Sequence, residues 1–158
     1  MLERKVNSAE RTLFVNTLLG KKQSKVPVWF MRQAGRYLPE YMEIRNTTSN
    51  FLEFCYSPEK ASEVTLQPIR RFDFDAAIIF SDILVIPDAL GMDVKFIKNE
   101  GPQLKALETS EIKTLKFDDN KLKPVYEAIA LTRTNLSPDK ALIGFAGAPC
   151  RQKMSMPS

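Results

Sequence analysis

The sequence predicts an α/β fold with a largely parallel sheet. Two apolar runs, "DAAIIFSD" at 75–82 and "ALIGFAGAP" at 141–149, show no alternation of apolar and polar residues. Runs of that kind suit strands buried on both faces, as in parallel sheets. Helical patterns fill the stretches between them, giving the order strand, helices, strand, helix, strand.

In chain order, residues 8–19, "SAERTLFVNTLL", predict a helix with Ser8 as N-cap, Leu13, Phe14 and Leu18 on one face, and Gly20 as its stop. "PVWF" at 27–30 predicts a short buried strand. "LPEYMEIR" predicts a helix with Pro39 in the first turn, and "NTTSNFLEFCY" a second one with Phe51, Leu52 and Cys55 inward. "SPEKASEVTLQPIRRF" opens with Ser57 as N-cap, Pro58 at the first position and Glu59 in the first turn. Val64, Leu66 and Ile69 form its inner side, and Pro68 is expected to kink it or end its regular part.

The strand at 75–82 ends at Ser81-Asp82, and "ILVIPDALGM" turns away from it. "DVKFIK" alternates as a strand does, "NEGPQL" reads as a loop, and "DDNKLKPVYEAIALTRTNL" predicts a helix with Val125, Ile129 and Leu131 inward. Three core strands with long helical connections fit either half of a (β/α) barrel or a small open sheet. A closed (β/α)8 barrel takes about 250 residues, more than the 158 here.

Composition narrows the chemistry. Apolar residues at 44% and charged residues at 27% are those of a globular chain rather than a disordered one. No apolar run reaches the roughly 18 residues of a membrane span, and the N-terminus lacks the apolar core of a secretory signal. The net charge of +4 is spread along the chain without an aromatic-interleaved basic cluster, so no nucleic-acid partner is expected. Cys55 and Cys150 are expected as free thiols in a reducing, cytoplasmic setting. Histidine is absent, which removes Ser/His and Cys/His nucleophile pairs and the commonest metal ligand. No glycine-rich nucleotide motif is present, and Asp118-Asp119 lacks the further ligands of a calcium loop.

Chemistry therefore falls to carboxylates and cations. Asp82 stands at the C-terminal end of a parallel strand, where α/β enzymes place working groups; it is equally suited to capping the next turn. Arg32 and Arg36, four apart in "MRQAGRY", also come just after a strand-like run. Their planar donor forks suit a carboxylate- or phosphate-bearing ligand, or structural ion pairs with Glu40, Glu43 or Asp82. Gly35 between them allows close backbone approach or simply a turn. Tyr37, Tyr41 and Phe51 are either a pocket wall or core.

"PVWFMRQAGRYLPEY", "EVTLQPIRRFDFDAAIIFSDILVIPDALGM" and "GFAGAP" together resemble the uroporphyrinogen decarboxylase family over residues 8–149, in one collinear order. The resemblance implies the N-terminal portion of a (β/α)8 TIM barrel, incomplete, from a family that is homodimeric at full length. It implies removal of carbon dioxide from the four acetate side chains of uroporphyrinogen III to give coproporphyrinogen III, with no cofactor and no metal. It places Arg32, Gln33, Ala34, Gly35, Arg36, Phe51 and Asp82 at a tetrapyrrole cleft, with Asp82, Arg32 and Arg36 as the catalytic candidates. A related methyltransferase branch shares the barrel but relies on metal-binding cysteines and histidines, which this sequence does not cluster.

Residues 150–158, "CRQKMSMPS", depart from the family pattern, so 1–149 is read as the barrel portion and 150–158 as a non-family tail. The tyrosine, Ser or Thr, and histidine that the family carries further on are not matched. The expectation is a truncated chain inactive alone; a split-enzyme subunit or a non-catalytic tetrapyrrole binder are the alternatives.

Overall fold

The computed structural model describes residues 12–97, 101–104 and 111–146. Ser8, Cys150 and the proposed tail lie outside the described residues. Helix α1 (Leu13–Leu18) is capped by the Thr12 side chain, which accepts from the Val15 N–H. Gly20 ends the segment at φ +75°, a backbone state that glycine reaches without strain. The predicted inner face is looser than expected: Leu18 is 72% exposed.

Helix α2 (Pro39–Arg45) starts at a proline, and α3 (Phe51–Cys55) is capped by the Asn50 side chain. Helix α4 (Pro58–Phe72) begins as its sequence predicts, although Ser57 caps it through its backbone alone. Pro68 neither ends α4 nor leaves its surface; it is buried within the helix, which runs on to Asp73 at φ 53°. Arg70 and Arg71 lie exposed in the last turn, where cations offset the helix dipole, and pair with Glu63 and Glu40.

Strand β1 (Ala76–Ile78) pairs in parallel with β4 (Ala141–Ile143), Ala77 opposite Leu142. Parallel neighbours need a crossover, and helix α6 (Lys123–Asn135), packed on α4, supplies it. Between them lie the short α5 (Val85–Ala89) and an antiparallel pair, β2 (Val94–Ile97) with β3 (Gly101–Leu104). The stretch read as a loop thus contains a strand: Gly101, at φ +85°, makes the sharp entry, and residues 102–104 pair with 94–96.

The inward face of α6 also differs from expectation. Ile129 and Leu131 are each 37% exposed, whereas Ala128 and Thr132 are buried. Ala128 packs with Ala61 of α4 and with Ile79, so small side chains set a close approach between the two helices.

The predicted strand 27–30 forms no ladder. Val28 accepts at its C=O from the Asp75 N–H (2.9 Å) and donates its N–H to the Asp75 carboxylate (2.8 Å). Pro27 has no N–H to offer. The segment therefore runs extended beside β1, with a side chain in place of a second backbone rung. Among the described residues no helix is long and apolar enough to cross a membrane.

Candidate functional site

A cavity of about 380 Å³ opens beyond the C-terminal end of β1. The stretch from Ile78 to Ile83 borders it, opposite Met31, Arg32, Gln33 and Ala34, with Phe51 and Phe145 completing its walls. The apolar side is built around Phe80. Its ring lies 4.6 Å from that of buried Phe54, 5.6 Å from Phe51 and 5.9 Å from Tyr41, mostly edge-on or tilted, the geometries aromatic pairs favour. Tyr41 is core, whereas Tyr37 is exposed; Phe51 is the one of the three that lines the cavity.

The polar side is held by Asp82. Its Oδ1 accepts from the Leu84 N–H at 2.8 Å, and its C=O accepts from the Val85 N–H at 3.3 Å. The capping role is thus realised, one turn ahead of α5, and it occupies one carboxylate oxygen. Among the described residues the other oxygen has no hydrogen-bond donor. Burial pushes the Asp82 carboxyl above its ordinary range, and the Leu84 N–H only partly opposes this. The neighbouring Ser81 hydroxyl is buried with no hydrogen-bond partner among the described residues. Ser81, Phe80 and Ile83 border the cavity without having been assigned to it from the sequence. Their adjacency to Asp82 in "FSDI" was the available signal.

Of the predicted site residues, the structure brings together Arg32, Gln33, Ala34, Phe51 and Asp82. Gly35 and Arg36 do not border the cavity. The Gly35 C=O accepts from the Leu38 N–H at 3.0 Å, so this glycine makes a turn, which carries Arg36 past the opening. Both arginines are exposed, and neither forms an ion pair among the described residues. Glu40, one of the expected partners, pairs with Arg71 at 2.8 Å instead.

Gln33 is only 2% exposed. Its amide nitrogen donates to the Ala76 C=O at 2.8 Å, and its oxygen accepts from the Ile78 N–H at 3.2 Å. One side chain thus reproduces both rungs that a neighbouring strand would give β1 on this edge. Replacing it by leucine leaves both backbone groups unpaired and is expected to cost about 2 kcal/mol or more. Gln33→Glu keeps the acceptor but loses the donor to Ala76. Thermal unfolding of the two variants checks this. The glutamate variant should recover stability as pH falls, because its protonated carboxyl can again donate. A pH-independent deficit would contradict the assigned bonds.

The uroporphyrinogen decarboxylase family model (URO-D) matches residues 9–157, a span that runs into the segment read as a tail. A uroporphyrinogen decarboxylase of Orientia tsutsugamushi (strain Ikeda) is 58% identical over 124 residues, 78% of this chain and 36% of the relative. That of Chelativorans sp. (strain BNC1) is 54% identical over 143 residues, 89% of this chain and 42% of the relative. The chain thus spans about two fifths of the length of these curated relatives. Among solved structures, a methyltransferase from Methanosarcina mazei superposes with a TM-score of 0.67 at 21% identity, covering 87% of this chain and 42% of that one. At that identity the likeness concerns the fold, and it agrees with an incomplete portion of a (β/α)8 barrel.

Proposed function

We propose, since this chain belongs to the uroporphyrinogen decarboxylase family, that its cavity takes part in holding uroporphyrinogen III for removal of carbon dioxide from the four acetate side chains. The observation that carries this reading is the meeting of Arg32, Phe51 and Asp82 around one cavity. The free Asp82 oxygen accepts from pyrrole N–H groups, and the Phe80–Phe51 side takes the macrocycle's apolar faces. Arg32, with Arg36 from the adjoining turn, pairs with the peripheral carboxylates.

The chemistry assigned to these groups is electrostatic. Loss of carbon dioxide leaves an electron pair that needs a sink, and protonation of a pyrrole carbon supplies one by making the ring a cation. A fixed carboxylate beside the ring N–H groups stabilises that cation, a type of contribution worth about 3–4 kcal/mol in a preorganised site. Residues 1–149 carry this role in our reading. A cytoplasmic location goes with it, supported by the buried free thiol of Cys55.

Because the chain spans about two fifths of its relatives' length, binding and turnover are separate questions. Anaerobic titration calorimetry with uroporphyrinogen III addresses the first, and formation of coproporphyrinogen III the second. Saturable binding without turnover is expected for the chain alone, with turnover on co-expression with a chain carrying the remaining length of a relative. Failure to bind, or turnover by the chain alone at a relative's rate, would overturn the reading.

A further inference from the structure

Two buried threonines in this fold make the same local bond and differ in one respect. Thr65 in α4 donates its hydroxyl to the Ala61 C=O at 2.7 Å, and Thr132 in α6 donates to the Ala128 C=O at 2.7 Å. This backward bond of one helical turn is the usual way for a helix to absorb a threonine hydroxyl. Thr65, 1% exposed, does more: its oxygen also accepts from the Phe80 N–H at 2.9 Å. That N–H belongs to the stretch leaving β1, past the last residue paired with β4 and two residues before Asp82.

The path from β1 to Asp82 is therefore held at three points. Gln33 fixes Ala76 and Ile78, Thr65 fixes Phe80, and the Leu84 N–H fixes the Asp82 carboxylate itself. The middle point is where the sheet's own hydrogen bonding runs out: the Ile79 N–H still reaches the Ile143 C=O, at 3.0 Å, and Phe80 has the hydroxyl instead.

We propose that Thr65 is a positioning residue for Asp82, its hydroxyl fixing the Phe80 backbone so that the carboxylate faces the cavity. The inference rests on the ligand role given to Asp82 above. A hydroxyl that donates to a helix carbonyl is a polarised acceptor, and a buried N–H has no water to turn to if it is removed. Valine at 65 keeps the shape and removes both bonds; serine keeps both bonds.

The test compares the full chain with its Thr65→Val, Thr65→Ser and Thr132→Val variants. Amide hydrogen exchange at Phe80 and Leu84 is monitored by NMR, alongside thermal unfolding and anaerobic titration with uroporphyrinogen III well below the transition. Thr65→Val is expected to lose protection at Phe80, to shift and expose the Leu84 amide, and to bind roughly tenfold more weakly. Thr65→Ser should match the parent, and Thr132→Val should lose thermal stability with affinity unchanged. Should Thr65→Val not fold, Thr65→Cys, with its weak sulfur acceptor, takes its place.

An unchanged Leu84 amide, or unchanged affinity once Phe80 is unprotected, would overturn the proposal. If the parent itself does not bind, or Asp82→Asn binds equally well, the ligand reading fails. The Leu84 amide then still decides whether Thr65 positions Asp82.

Discussion

Asp82→Ala should weaken uroporphyrinogen III binding by roughly 10- to 150-fold, the loss of about 1.5–3 kcal/mol for hydrogen bonds to a charged acceptor. Anaerobic calorimetry reads this directly, and binding within twofold of the parent would remove Asp82 from the site. Asp82→Asn separates charge from shape, because its carboxamide oxygen can still accept from the Leu84 N–H. Burial raises the Asp82 carboxyl's pKa, so the folded chain holds this proton more tightly than the unfolded chain does. The associated stability is present at low pH and lost as pH rises through the folded pKa. The asparagine variant does not titrate there. It should therefore unfold at a higher temperature than the parent near neutral pH, with the advantage shrinking in acid, while binding more weakly. A carboxylate held at a cost in stability is what a working group in a cleft requires.

Phe54→Ala is expected to have the largest effect on the fold, about 3–5 kcal/mol against the 5–15 kcal/mol total stability of an ordinary domain. Phe54 is fully buried, and its ring touches both Tyr41 and Phe80. Phe80 packs against three of the core clusters, so a void at 54 loosens the side of the cavity as well. Urea unfolding should show a lowered midpoint with an unchanged slope. Phe117→Ala, at a residue 53% exposed, is the contrast and should move the midpoint little. Equal effects at the two positions would show that the ring cluster is not the keystone assigned to it.

The parts of this fold visible in the sequence are those that local chemistry decides. Pro39 and Pro58 at helix starts and Gly20 after α1 each act within a turn of where they stand. The burial of Ala76, Ala77 and Ile79 stems from an unbroken apolar run, within which Ile78 is half-buried beside the cavity. The inner face of α6 departs from its apolar pattern because large apolar residues mark a helix face only when its neighbour is distant enough to admit them. Against Ala61 of α4 the contact selects Ala128 instead. The β2–β3 pair is hidden in the sequence by Gly101-Pro102, which reads as a turn until the fold lays residues 102–104 against Val94 to Phe96.

At the site, residue types were legible and their duties less so. Arg32, Phe51 and Asp82 border one cavity, whereas Gly35 turns the chain and leaves Arg36 off the cavity wall. Gln33 and Thr65 act on backbone groups 43, 45 and 15 residues away. No periodicity records such a bond, since it depends on which segments the tertiary fold lays side by side.

The side chain of Gln33 has one more consequence, for how the chain behaves in company. An uncovered strand edge offers its N–H and C=O groups to any extended peptide nearby, which is how sheets grow from one molecule into the next. On this side of β1 the Ala76 C=O and the Ile78 N–H are already taken by Gln33, and the Asp75 N–H is engaged by Val28. A passing strand meets a row interrupted at these groups. A residue in the wall of the cavity thereby also makes this edge of β1 a poorer template for an incoming strand.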